Sequence, residues 1–173
     1  VLKEKQLSKS DEIYNCKFHV IGDGFLKEPL QLLSSQLGLN STDIVFHGRF
    51  DNGKLLHFLK SNPVNVLVRT SLLNETFGLV LVESMASKVP VVTFGIGGTS
   101  DFLTIDDKHG YVVSNPPTVS SLVNSILKCI DENVPNNKIG ENAYNVVIEK
   151  LDLTDTGMAK QFEKLYIQLF HNN

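Results

Sequence analysis

The 173 residues are 42% hydrophobic and 20% charged, with 12 Gly, 6 Pro and 2 Cys, a balance that excludes collagen-like, disulfide-scaffold and disordered chains and suits one domain with a real core. The net charge of −3 offers no basic footprint for neutralising a phosphate backbone, so no nucleic-acid partner is expected. No run approaches the roughly 18 apolar residues of a membrane span, and no charged-then-apolar leader is visible, so this segment is not expected to cross a membrane.

Short apolar runs alternate with longer periodic stretches, the pattern of βα units. Lys17 to Ile21 predicts a strand that stops at Gly22-Asp23-Gly24. Pro29 sits well as an early helical residue, and Leu30, Leu33 and Leu37 follow at helical spacing until Gly38. Asp43 to His47 predicts a second strand, ending at Gly48. Asp51 is placed to cap a helix over Leu55, Leu56 and Leu59, and Pro63 stops it before a third strand, Asn65 to Val68. A loop from Arg69 to Phe77 leads into a helix over 78–87, a fourth strand from Pro90 to Phe94 and a glycine-rich turn from Gly95 to Asp101. Tyr111 to Val113 predicts a short fifth strand, and helices are expected over 119–132, 138–150 and 155–170. In the last of these Met158, Phe162, Leu165, Tyr166 and Leu169 form a packing face. The expected fold class is α/β, a Rossmann-like open parallel sheet with helices on both faces and C-terminal helices, in one domain over 1–173. Ligands of such sheets lie beyond the carboxyl ends of the strands, so the turns that follow the strands are where function is sought.

Cys16 and Cys129 lie far from each other and from any His pair, so no metal site is expected and both read as buried structural thiols. His19, His47, His57 and His109 are scattered and read as core or surface residues. Asn40-Ser41-Thr42 and Asn74-Glu75-Thr76 fit the glycosylation acceptor pattern. A glycan on the second would cover the most informative stretch of the chain, which favours the cytosolic side.

That stretch runs from Asn74 to Val92. Glu75 precedes a helix start and Glu83 follows one to two turns inside it, amid Leu79, Val80, Val82 and Met85. A carboxylate buried among such neighbours needs a partner, which a pair of ligand hydroxyls would supply. The amides of Phe77, Gly78 and Leu79 lie at the helix N-terminus, a natural place for a phosphate, and Gly78 lets the backbone approach a ligand closely. Spacing alone leaves a plainer alternative open, in which Glu75 complements the helix dipole and Glu83 is an exposed helix residue.

The stretch resembles the nucleotide-sugar-binding domain of retaining, group 1 glycosyltransferases with the GT-B fold. That family carries two glutamates with seven residues between them, an aromatic and Gly after the first, and a small-residue helix running into a Pro-Val-Val strand. Glu75, Phe77-Gly78, Glu83-Ser84-Met85-Ala86 and Pro90-Val91-Val92 match it. Val20 to Gly24, Val45 to Gly48, Val66 to Val68 with Ser71, Gly97-Gly98 and Gly110 to Val113 fall in the family's order. The resemblance implies a UDP- or GDP-sugar donor. Glu83 would hold the ribose hydroxyls, and Glu75, as the catalytic residue, would contact the transferred sugar. The amides of Phe77, Gly78 and Leu79 would meet the sugar and diphosphate, Val80 and the Gly48-Arg49-Phe50 turn would lie near the base, and Gly22 would complete the donor-binding set. Transfer in such enzymes retains the anomeric configuration and usually needs no divalent cation, because fixed positive charge stabilises the leaving diphosphate. No metal or cofactor is therefore expected.

Three differences stand out. The family's first strand, with its Gly-Arg turn and nearby Lys, has no match, and Val1 to Lys9 reads as the tail of the helix after it. Asp101 stands where the family usually has Glu, and Arg69-Thr70-Ser71 replaces a common Pro-Ser. Arg69 is read either as phosphate charge or as a loop ion pair. The opening at Val1 without Met fits a donor-binding lobe whose first strand and N-terminal acceptor-binding lobe lie elsewhere, inactive by itself. The full-length protein is then expected in the cytoplasm or on the cytosolic face of a membrane. A degenerate, non-catalytic module kept for protein interaction is the rival reading.

Overall fold

In the computed structural model, residues 16–72, 77–95, 98, 103, 108–113, 118–133, 136–152 and 155–171 are described, apart from the side chains of 150, 155, 165–166 and 168–171. The chain divides into two compact units, Val1–Leu55 and Leu56–Asn173. The division falls inside a helix.

The first unit contains β1 (Phe18–Ile21), α1 (Lys27–Gln36) and β2 (Ile44–Gly48). The strands pair in parallel, Phe18 opposite Ile44 and Val20 opposite Phe46, with an irregularity before Ile21 meets Gly48. Pro29 sits in the first turn of α1, where a missing N–H leaves no helical bond unmade. The helix stops at Gly38 as expected: the Gly38 amide donates to Ser35 O at 2.9 Å and the Leu39 amide to Ser34 O at 3.0 Å, the paired bonds of a Schellman close. Asn40 then builds the turn into β2, its side-chain oxygen accepting from the Thr42 amide at 2.8 Å and hydroxyl at 2.6 Å. The leucine spacing of α1 predicts a core face, yet Leu30 and Leu33 are 45% and 49% exposed. The described sheet of this unit has two strands, too little surface to cover that face.

Helix α2 (Asn52–Ser61) begins where the sequence places its cap. The Lys54 amide donates to Asp51 Oδ1 at 2.8 Å and the Leu55 amide to Asp51 O at 3.0 Å, so one aspartate satisfies an orphan donor and opens the helix. Asp51→Ala is expected to lower stability by about 1 kcal/mol, read as a shifted denaturation midpoint.

The second unit holds β3 (Leu67–Arg69), α3 (Leu79–Ala86), β4 (Val91–Phe94), β5 (Gly110–Val113), α4 (Val119–Asn133), α5 (Lys138–Asn145) and α6 (Asp155–His171). Its sheet is parallel in the order β3-β4-β5, with Val68 opposite Val92 and Val92 opposite Tyr111. Central β4 is buried on both faces, as a strand covered by helices on each side must be. Its alternation divides the core. Val91 joins Leu81, Met85, Ala143 and Val147 on one face, while Val92 and Phe94 join Tyr111, Val113 and Cys129 on the other. The class is the mixed α/β fold expected, with parallel strands and helices on both sides.

Four details depart from the sequence reading. β3 extends to Arg69, which pairs with Thr93 and is buried at 8% exposure instead of opening a loop. The helix over 138–150 divides into α5 and a π-helical turn at Val146–Leu151. Its wider i→i+5 bonding lets adjacent Val146 and Val147 share one core with Leu151. On α6, Met158 and Phe162 are 45% and 67% exposed, so the expected packing face is not covered at those positions. Cys129 is fully buried, and burial, with Glu132 nearby, pushes its thiol up to about 12, whereas Cys16 is only half-buried.

Candidate functional site

The second unit builds its part of the site on α3. Gly78 is buried and left-handed (φ 77°, ψ 55°) immediately before the helix. An L side chain in that conformation costs about 1 to 2 kcal/mol, so glycine there fixes the angle at which the chain enters α3. The Leu81 amide closes the first turn on Gly78 O at 2.9 Å, and the amides of Leu79 and Val80 lie N-terminal to that bond. The side chains of Phe77 and Val80 pack against the core, Leu79 is 66% exposed, and Glu83 is half-buried one turn further on.

The far end of the helix is tied to β4. The Lys88 amide donates to Met85 O at 2.9 Å and the Val89 amide to Ser84 O at 3.0 Å, while the buried Ser84 hydroxyl donates to Val89 O at 3.1 Å. Lys88 takes the left-handed position of this turn (φ 60°) and pairs with Glu141 at 3.0 Å. Because four residues join α3 to the start of β4, the C-terminus of α3 lies at the amino end of that strand and its N-terminus is directed towards the carboxyl ends. The helix carrying Glu83 is thereby held by Leu81, Val82, Ser84 and Met85 in the core and by backbone bonds at its end. A polar group on so anchored an element is pre-organised for a ligand.

In the first unit, Gly22 and Gly48 are brought together: the Gly22 amide donates to Gly48 O at 2.8 Å. Gly48 has φ 70°, and a Cβ there would stand 3.7 Å from Lys27 Nζ, which pairs with Asp23 at 3.5 Å. Arg49 is exposed. A cavity of about 310 Å³ opens beside the Gly22–Gly24 turn, lined by Val20, Asp23, Phe25, Leu30 and Phe46 among others. The sequence-derived residues thus fall into two sets, Gly22, Gly48 and Arg49 in one unit and Phe77, Gly78, Leu79, Val80 and Glu83 in the other. Glu75 lies outside the described residues, as do Gly97 and Asp101 of the glycine-rich turn. Among the described residues no group of three or more His, Cys, Asp or Glu could hold a metal ion, and no helix is long and apolar enough to cross a membrane.

One arrangement escaped the sequence reading. His19 and His47, scattered in the sequence, meet edge to edge with ring centroids 5.2 Å apart and Nδ1 of His19 2.9 Å from Nε2 of His47. Parallel pairing sets His19 opposite Val45, which brings His47, two residues on, to the same face. That register is not visible in the sequence.

This chain belongs to the group 1 glycosyltransferases: the family profile described as "Glycosyl transferases group 1" matches residues 1–146. It is 30% identical over 135 residues to the poly(ribitol-phosphate) alpha-N-acetylglucosaminyltransferase of Staphylococcus aureus (strain COL), covering 78% of this chain and 26% of that protein. It is 31% identical over 147 residues to the sulfoquinovosyl transferase SQD2 of Arabidopsis thaliana, covering 83% and 27%. Among solved structures, TarM is similar at 27% identity with a TM-score of 0.71 over 92% of this chain and 30% of that one. Anabaena Alr3699/HepE, solved in complex with UDP and glucose, shares the fold with a TM-score of 0.71 at 23% identity, over 87% and 40%. The chain therefore spans about a quarter of the two relatives named first.

Proposed function

We propose that this chain is the donor-binding lobe of a retaining glycosyltransferase and takes a UDP- or GDP-sugar, the acceptor-binding lobe and the lobe's first strand lying outside it. The observation that carries the reading is α3, a core-anchored helix entered through left-handed Gly78, with Glu83 half-buried one turn above its N-terminus. The amides at the start of α3 suit a diphosphate, since a helix N-terminus adds about 0.3 to 2 kcal/mol for an anion. Glu83 accepts hydrogen bonds from the ribose hydroxyls, Glu75 contacts the transferred sugar, and Gly22, Gly48 and Arg49 serve the rest of the nucleotide. The family match and the UDP complex of a TarM mutant, 27% identical to this chain, support the nucleotide assignment.

Transfer is assigned to the whole protein, in the cytoplasm or at the cytosolic face of a membrane, and proceeds without a metal, the leaving diphosphate being stabilised by fixed positive charge and the helix N-terminus. The chain alone binds donor and does not turn it over. The test supplies the full-length protein with a UDP- or GDP-sugar and acceptor in the presence of EDTA and determines the product by NMR. Transfer with retained anomeric configuration is expected. An inverted product, or activity abolished by EDTA and restored by a divalent cation, contradicts the mechanism.

A further inference from the structure

We propose that the His19–His47 ring pair positions the Gly48–Arg49–Phe50 turn, so that donor binding at that turn weakens once both rings are protonated. The inference rests on the assignment of this turn to the nucleotide made above. The contacts run without a break from β1 to the turn and on to α2. The His19 and His47 rings lie nearly coplanar, 16° apart, and meet edge to edge; His47 meets Phe50 edge-on at 5.4 Å, and Lys54 Nζ lies 4.2 Å above the Phe50 ring. His47 and Phe50 bracket Gly48 and Arg49, and Gly48 O holds the Gly22 amide at 2.8 Å. Moving the His47 ring therefore disturbs the turn from both ends.

The 2.9 Å contact between two ring nitrogens needs one donor and one acceptor, so at least one ring must be neutral. With both protonated the acceptor is gone and two cations face each other. The charged surroundings add to this. Lys17 lies on the His19 side, Lys54 of α2 covers Phe50, and Lys27 of α1 reaches towards Gly48; Asp23 pairs with Lys27, and Asp51 caps α2. Desolvation first, then the charges of His47 and Lys17, hold His19 below its ordinary 6.5. A depressed histidine favours the folded arrangement above the ordinary value and loses that contribution as pH falls, so the turn loosens on the acid side.

UDP-glucose is a suitable probe because none of its own groups titrates near neutral pH. For the full chain, its affinity is expected to fall about tenfold between about pH 7.5 and about pH 5.5, and by less than about twofold in His19→Gln. Equal falls in both proteins overturn the proposal. Amide shifts of Gly48, Arg49 and Phe50 in the free chain give a second reading. They should move further over the ring titration in the wild type than in His19→Gln, where the His47 ring alone remains; wild-type shifts that ignore the titration overturn the proposal even if the variant does not fold. Absence of binding by both UDP-glucose and a GDP-sugar at the higher pH would instead count against the donor assignment, leaving the free-chain shifts to decide on the positioning of the turn.

Discussion

Replacing Glu83 by alanine is expected to weaken binding of a UDP- or GDP-sugar about ten- to a hundred-fold, the loss of about 1.5 to 3 kcal/mol carried by hydrogen bonds to a charged group. The fold should survive. Glu83 is half-buried on the second turn of α3, while the residues that seat the helix are Leu81, Val82, Ser84 and Met85. Alanine is also the better helix former, so the change removes the carboxylate without unseating the helix. Glu83→Gln keeps one acceptor oxygen and should fall between the two. Calorimetry on the three proteins, with denaturation curves beside it, separates loss of donor binding from loss of structure.

Gly140→Ala should act in the opposite way, on stability first. Gly140 lies in the first turn of α5, pressed against the link between α3 and β4. A Cβ there would stand 2.1 Å from Lys88 O, 2.5 Å from Asn137 Oδ1 and 3.0 Å from Lys88 C. Two of those atoms are backbone and cannot swing aside. The Ile139 and Gly140 amides are also held by Asn133 Oδ1 at 3.0 and 3.1 Å, so α5 cannot slide away cheaply. The expected loss is about 3 kcal/mol, which for a chain of this size lowers Tm by roughly 6 to 12 °C. Because the displaced backbone is the link that closes α3, donor binding should weaken as well. Gly53→Ala is the matched control: its Cβ would meet only Asp51 Oδ1, at an ordinary 3.6 Å, and should leave Tm unchanged or slightly raised.

What the sequence disclosed, and what it hid, follows from which interactions are local. Asp51, Gly38 and Pro29 act on residues within one turn of themselves, so their roles as cap, stop and early helical residue were legible, and the structure repeats them. β4 reads as a Pro-Val-Val run because burial on both faces asks for continuous apolar residues. Arg69 was misplaced because its place in β3 depends on pairing with Thr93, a long-range contact that no neighbouring residue announces. The π-helical turn was hidden for the same reason, since only the core shared by Val146, Val147 and Leu151 favours it. The leucines of α1 show the converse: their spacing states what the helix can bury, not what is present to cover it.

The site was legible to a similar depth. Gly78 stands at the entry of the short helix that carries Glu83, so spacing alone places them together, and the structure adds the left-handed entry and the anchoring to β4. The approach of Gly22 to Gly48 and of His19 to His47 depends on the register of β1 against β2, which the sequence does not encode in any adjacent residue.

Titration of the isotopically labelled chain with UDP- and GDP-sugars, followed through its backbone amides, tests donor binding most directly. Saturable shifts centred on Gly78, Leu79, Val80 and Glu83 with at least one of the two donors, and lost in Glu83→Ala, are the predicted result. If neither nucleotide sugar moves those amides, in this chain or in the full-length protein, the donor-binding account is wrong.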